Sequence, residues 1–183
     1  MLGFADEVWW SRFAQPHLHT WTTGGPLRLV AQDRLPSDPD PAALACFGLL
    51  RTDTRQMLLR FVAGRPISTS TIAFLEWLLE ELRRAGKKAL LLVWDNAPWH
   101  CSRAVRTWLR TYNRTARKSG DIRLLICHLP IRSPWLNPIE PRWVHGKRAI
   151  HEPSRTLSPQ EVKERVCAYY QCELLEPLAQ HQP

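Results

Sequence analysis

Ala89-Leu90-Leu91-Leu92-Val93-Trp94 is an apolar run without alternation, and Asp95 closes it. A stretch of this length and character is expected of a central strand buried on both faces of a sheet. Before it, the Ser68–Thr71 run opens a helix that reaches about Arg84, with Ile72, Leu75, Leu79 and Leu82 as its inner stripe and Gly86 at its end. After it, Ser102 caps a second helix whose inner side is Val105, Trp108, Leu109 and Tyr112, and Arg123 to Leu129 forms another strand. This alternation around a buried strand predicts an α/β layered domain, a mixed sheet with helices on both faces.

Further out, Leu2 to Glu7 is a short strand that ends in two acids. Ser11 to Pro41 is rich in turn formers (Gly24-Gly25-Pro26, Pro36, Pro39, Pro41) and has room for one edge strand, Leu27 to Ala31. Ala42 to Leu50 and Met57 to Ala63 flank the polar Arg51–Arg55 and read as a hairpin. Downstream, Asn137-Pro138-Ile139-Glu140-Pro141 begins a third helix, because proline is tolerated in a first turn. The last helix has the strongest start signal. Ser158 and Glu161 make a capping box, Pro159 is the first helical residue, and Leu157 staples onto Val162.

The 183 residues suffice for one well-packed domain, and 44% apolar content excludes wholesale disorder. A net charge of +8 and a pI near 9.7 favour a polyanionic partner. Five dispersed cysteines without a Cys-x-x-Cys pair argue against a disulfide framework and a zinc knuckle, and fit free thiols in a reducing cytoplasm. No basic-then-apolar leader and no membrane-length run is present, so the chain reads as intracellular with no membrane partner. Its opening directly on a strand suggests a fragment, or one reading frame of a longer product.

Three acids stand where an α/β sheet collects its sites: Asp6 at the end of the first strand, Asp95 directly after the buried strand, and Glu140 at the opening of the third helix. Converging carboxylates repel unless a cation holds them, and a few hard oxygen ligands describe a Mg²⁺ or Mn²⁺ site. A pair of such ions stabilises both attacking and leaving oxygens of an in-line phosphoryl displacement. Each acid also has a plainer use. Asp95-Asn96-Ala97-Pro98 is a good turn, Glu140 lies at capping distance from Asn137, and Asp6 or Glu7 fits a solvated surface.

Two blocks tip the balance. Asp95-Asn96-Ala97-Pro98-Trp99-His100, and Leu129-Pro130-Ile131-Arg132-Ser133-Pro134-Trp135-Leu136-Asn137-Pro138-Ile139-Glu140 followed by Trp143, Lys147 and Arg148, resemble the second and third acidic motifs of the mariner-like superfamily of bacterial insertion-sequence transposases. Asp6-Glu7 is similar to the first motif, less specifically. The resemblance runs from Asp6 through Arg148. It implies a ribonuclease H-like fold and a single catalytic domain over 1–183, with Asp6, Asp95 and Glu140 as catalytic ligands of two Mg²⁺ or Mn²⁺ ions. It further implies metal-dependent DNA strand cleavage and transfer, transposon-end and target DNA as partners, a homodimer, and a place at the bacterial nucleoid. The helix-turn-helix region of such transposases has no counterpart here, which points to an upstream-frame DNA-binding segment. Asn96, His100 and Asn137 are candidates for holding the ligand carboxylates from behind.

Arg103, Arg106, Arg110, Arg114 and Arg117 fall on one narrow helical face, opposite Val105, Leu109 and Tyr112. With Lys147 and Arg148 they are the candidate DNA-backbone contacts, although such stripes are often only solvated. Of nine tryptophans, Trp99 and Trp135 lie in motif loops and suit stacking on splayed bases; the default for all nine is core. His17 and His19 have a metal-site spacing without a third ligand and are read as surface. The alternatives to a transposase domain are a catalytically silent DNA-binding remnant and another ribonuclease H-like nuclease.

Overall fold

The computed structural model describes residues 1–14, 19–28, 32 and 34–179, with only the backbone described for 19–22 and 25–28. Five strands form the main sheet: β1 (Leu2–Ser11), β4 (Ala43–Arg51), β5 (Met57–Phe61), β6 (Ala89–Trp94) and β7 (Arg123–His128), in the order β5-β4-β1-β6-β7. β1, β6 and β7 are parallel, while β4 runs antiparallel to β1 and β5 antiparallel to β4. A separate two-stranded ladder joins β2 (His19–Thr22) to β3 (Gly25–Arg28). This ladder covers part of the expected Leu27–Ala31 edge strand; 29–31 lie outside the described residues, as does His17.

The sheet sorts its side chains by strand alternation into two cores. One face carries Ala5, Ala45, Phe47, Leu49, Leu90, Leu92, Trp94 and Leu124. It packs against α1 (Ser68–Arg84), through Phe74, Leu75, Leu78, Leu79 and Leu82, and against α2 (Arg103–Ser119), through Val105 and the partly buried Trp108, Leu109 and Tyr112. Ile72 is only partly buried, because Thr71 and Phe74 hold the centre of the α1 stripe. The opposite face carries Val8, Trp10, Cys46, Leu50, Met57, Leu59 and Phe61 against α3 (Glu140–Ile150) and α4 (Pro159–Tyr170). The capping box of α4 forms in both directions, and Leu157 and Val162 share this core.

Three expectations are corrected. β1 does not end at the acids: Val8 and Trp10 continue its buried alternation, so it runs to Ser11 and Asp6 lies mid-strand. β6 is not buried on both faces. Leu91 is 41% exposed and its β7 neighbour Leu125 is 45% exposed, because α3 and α4 cover the β1-β4-β5 side of that face and leave the β6-β7 side uncovered. Nor are all tryptophans core: Trp9 and Trp135 are exposed. No helix among the described residues is long and apolar enough to cross a membrane, and all five cysteines are free.

Candidate active site

The register of the parallel strands places the first two acids. β1 pairs with β6 only as far as Phe4 opposite Val93. Two residues further along the same register, on the same face, Asp6 comes level with Asp95, just past the end of β6. There β1 keeps its other neighbour, with Asp6 opposite Gly48 of β4.

Glu140 is brought over this point by anchors one turn before and one turn after it. The buried Asn137 donates its side-chain N–H to the carbonyl of Ala5 (3.2 Å), and its own carbonyl receives the Glu140 N–H (3.1 Å). Trp143 donates its indole Nε1–H to Asp6 Oδ2 (3.0 Å). Its ring lies over β4, where a Cβ on residue 48 would come within 2.3 Å of Trp143 Cη2, so only glycine fits there without a shift. Trp10 and Tyr170 meet the same indole edge-on at ring distances of 5.9 and 5.8 Å.

The result is an open cleft of about 400 Å³ lined by Asp6, Asp95, Asn96, Asn137, Glu140 and the Leu129–Pro134 loop. The loop is tied down where Leu129 N–H meets the Trp94 carbonyl (2.8 Å) and Asn96 Nδ2 meets the Leu129 carbonyl (2.6 Å). Arg132 on this loop adopts a left-handed backbone (φ 58°), Ile131 stands 79% exposed in the cleft lining, and Trp135, just after the loop, is 75% exposed.

Electrostatics follow from this crowding. Burial, then the charges of Glu140 and Glu7, push the Asp6 carboxyl up to about 7. Burial also raises Glu140, opposed by Lys147 and reinforced by Asp95. Asp95 is held below the usual carboxylate range, first by its hydrogen bond with His100, against burial, and also by the Ala97 N–H. Three carboxylates in one cleft, two of them reluctant to ionise, suit a hard divalent cation: oxygen donors are what Mg²⁺ or Mn²⁺ takes, and a positive charge would relieve the strain on Asp6.

Of the candidates for holding these acids, His100 touches a carboxylate directly, with Nδ1 2.7 Å from Asp95 Oδ1. Asn96 and Asn137 direct their side-chain amides to backbone carbonyls, positioning loop and helix instead. The arginines of the α2 stripe are all exposed, and among the described residues none pairs with a carboxylate. Because α2 returns from the end of β6 to the start of the parallel β7, Arg103 lies at the end of the sheet where β6 runs into Asp95. Arg117 sits about 21 Å further along the helix axis. Lys147 and Arg148 are exposed on α3.

Glu7 was not among the expected site residues. It is buried on the face opposite Asp6, where its Oε1 accepts from Trp99 Nε1 (2.6 Å) and lies 2.7 Å from His100 Nε2. Trp99 is therefore bound into the protein through its N–H. Alternation along β1 carries the signal for Glu7, since an acid beside Ala5 and across from Phe47 occupies an inward position. That signal is legible only once the strand is known to continue past it. Glu7, Asp95 and His100 also bring ligand atoms within 4.8 Å of one another.

The sheet order and the helices on its two faces are those of a ribonuclease H-like domain. Residues 33–163 match the family described as DDE superfamily endonuclease, and the chain belongs to that family. The match spans Asp95 and Glu140 and begins beyond Asp6. Among solved structures, the chain is similar to the Mos1 transposase paired-end complex with left transposon end, with a TM-score of 0.67 and 17% identity over 94% of this chain and 48% of that one. The Mos1 mariner paired-end complex with Mn gives a TM-score of 0.62 at 16% identity, over 94% and 48%. The catalytic domain of Mos1 mariner transposase gives 0.56 at 16% identity, over 94% and 70%. The chain thus spans about half the length of the transposase chains in the first of these structures. No curated protein sequence matches it.

Proposed function

We propose that this chain is the catalytic domain of a mariner-like insertion-sequence transposase that cleaves DNA strands and transfers them with the help of divalent cations. The observation that carries the reading is the common cleft of Asp6, Asp95 and Glu140, built from a mid-sheet strand, a strand end and a helix start. Membership of an endonuclease family supports the phosphodiester chemistry. The fold's likeness to transposases solved with transposon ends, with Mn and in a strand transfer complex (TM-score 0.61, 18% identity) supports the substrate and the cation.

In this reading the three carboxylates hold two Mg²⁺ or Mn²⁺ ions. When bound, such ions neutralise charge developing on the attacking and leaving oxygens of an in-line phosphoryl displacement. The chain's own part is to aim oxygens. Asp6 Oδ2 is engaged by Trp143 and the Asp6 carboxyl also takes the Glu7 backbone N–H, while among the described residues no hydrogen bond engages the Glu140 carboxylate. Arg103 and Arg106 at the start of α2, Arg110 and Arg114 further along, and Lys147 and Arg148 on α3 offer charge to the DNA backbone. The partners proposed are transposon ends and target DNA, a second copy of the chain, and a DNA-reading segment supplied upstream. The proposed location is the bacterial cytoplasm, at the nucleoid.

The test is divalent-dependent nicking of supercoiled and linear duplex DNA by the purified protein. Asp95→Asn and Glu140→Gln should each abolish nicking while leaving the fold intact by circular dichroism. Preferential cutting of an RNA–DNA hybrid would assign a different nuclease. DNA binding without nicking at any Mg²⁺ or Mn²⁺ concentration would mark a silent remnant.

A further inference from the structure

We propose that Glu7 is a positioning residue that acts through His100 to turn Asp95, so that Asp95 presents Oδ2 alone to the cleft. The inference rests on the reading of Asp95 as a cation ligand, and it concerns how that ligand is aimed.

The chain of contacts is continuous, running from the buried Glu7 and His100 side chains to the half-exposed Asp95. Glu7 Oε1 lies 2.7 Å from His100 Nε2, and His100 Nδ1 lies 2.7 Å from Asp95 Oδ1. Each ring nitrogen of His100 thus faces a carboxylate oxygen at hydrogen-bond distance, so the ring bridges Glu7 and Asp95. The ring has no freedom to turn. It is 2% exposed and stacks on Trp94 with centroids 4.1 Å apart and planes 9° from parallel. Glu7 is itself held by the Trp99 indole N–H at 2.6 Å. Asp95 Oδ1 also accepts the Ala97 N–H at 2.9 Å. With Oδ1 doubly occupied, Oδ2 is the oxygen left for the cleft that Asp95 lines.

This arrangement gives the acid after Asp6 a separate task. The alternation of β1 sends Asp6 to the cleft face and Glu7 to the other face, so one dipeptide supplies a ligand and the support behind the next ligand. The two nitrogens of His100 are both spent on carboxylates, so the ring holds a ligand and is not one itself. Outer partners of this kind typically change metal affinity 10–100-fold when removed.

The experiment is a Mn²⁺ titration of the full chain followed by electron paramagnetic resonance, with electron spin-echo detection of nitrogen coupling. Glu7→Met and His100→Phe keep volume and stacking but remove the acceptor and the donor. Each should weaken Mn²⁺ binding by about 10–100-fold. The double variant should bind no more weakly than His100→Phe alone. Glu7→Gln retains an acceptor oxygen and should stay within a few fold of wild type, and no imidazole nitrogen coupling should appear. If Glu7→Met does not fold, His100→Phe must show the loss and Glu7→Gln must not. Wild-type affinity in His100→Phe, losses that multiply in the double variant, or direct imidazole coupling to Mn²⁺ would each overturn the positioning role. If Asp95→Asn binds Mn²⁺ as wild type does, the triad reading itself fails. If Asp95→Asn loses Mn²⁺ and the Glu7 and His100 variants do not, only the positioning inference fails.

Discussion

Adding one methyl group at Gly48 should disturb the cleft from a strand that contributes no acid to it. In Gly48→Ala the new Cβ would lie 2.3 Å from Trp143 Cη2 and 2.6 Å from Cζ2, with Leu59 Cδ2 at 3.1 Å behind it. Carbon atoms rest about 3.5–4.0 Å apart, so the indole must retreat by about 1.2 Å or more. It has little room, being buried between Trp10 and Tyr170. Overpacking of this kind typically destabilises by about 1–3 kcal/mol. The same shift would stretch the 3.0 Å hydrogen bond from Trp143 to Asp6 and displace the first turn of α3, where Glu140 sits. Urea unfolding should show the loss of stability, and Mn²⁺ titration a parallel loss of affinity. Trp143→Phe removes the part of the ring that meets the methyl, so Gly48→Ala/Trp143→Phe should be less destabilised than the sum of the single variants. Wild-type stability in Gly48→Ala, or additive losses in the pair, would refute the reasoning.

Asp6→Asn should stabilise the protein in the presence of a chelator. Because the folded carboxyl titrates near 7 against an ordinary 3.8, the penalty for ionising it is absent below about pH 4, grows through the interval, and is complete above about pH 7. The gain in unfolding free energy at pH 8 should approach a ceiling of about 4 kcal/mol and vanish at low pH; a gain independent of pH would contradict burial as the cause. Changing Arg103 and Arg106 to Glu should weaken DNA binding of any sequence and flatten its salt dependence more than changing Arg114 and Arg117, since α2 leads away from the cleft. Equal effects at both ends, measured by fluorescence anisotropy at several salt concentrations, would remove the cleft from the binding path. Trp135→Ala should reduce affinity for single-stranded ends by about 1–3 kcal/mol while leaving the unfolding midpoint unchanged, as suits an exposed ring; unchanged affinity would leave the residue without a stacking role.

Local chemistry made much of this molecule legible from its sequence. The unalternating run at Ala89–Trp94, the amphipathic patterns of α1 and α2, and the capping box at Ser158 are short-range signals, and the corresponding elements form where they point. Asp95 and Glu140 stood out because each occupies a position that an α/β sheet exposes at its rim, in motifs resembling a known family, whereas Asp6 was picked at an expected strand end that the structure moves on to Ser11. Other features depend on partners distant in the chain. Asp6 sits mid-strand because Trp10, four residues on, finds a buried place against Trp143 and Tyr170. Leu91 is left exposed because α3 and α4 cover other strands. Glu7 has a function to propose only because a tryptophan and a histidine 92 and 93 residues later fold onto it. Pattern within a segment sets which elements form and which face is apolar, since those preferences are encoded by neighbours a few residues apart. Which oxygen of a carboxylate is free, and which glycine makes room for an indole, is settled by packing between segments, and only the tertiary structure brings those groups together.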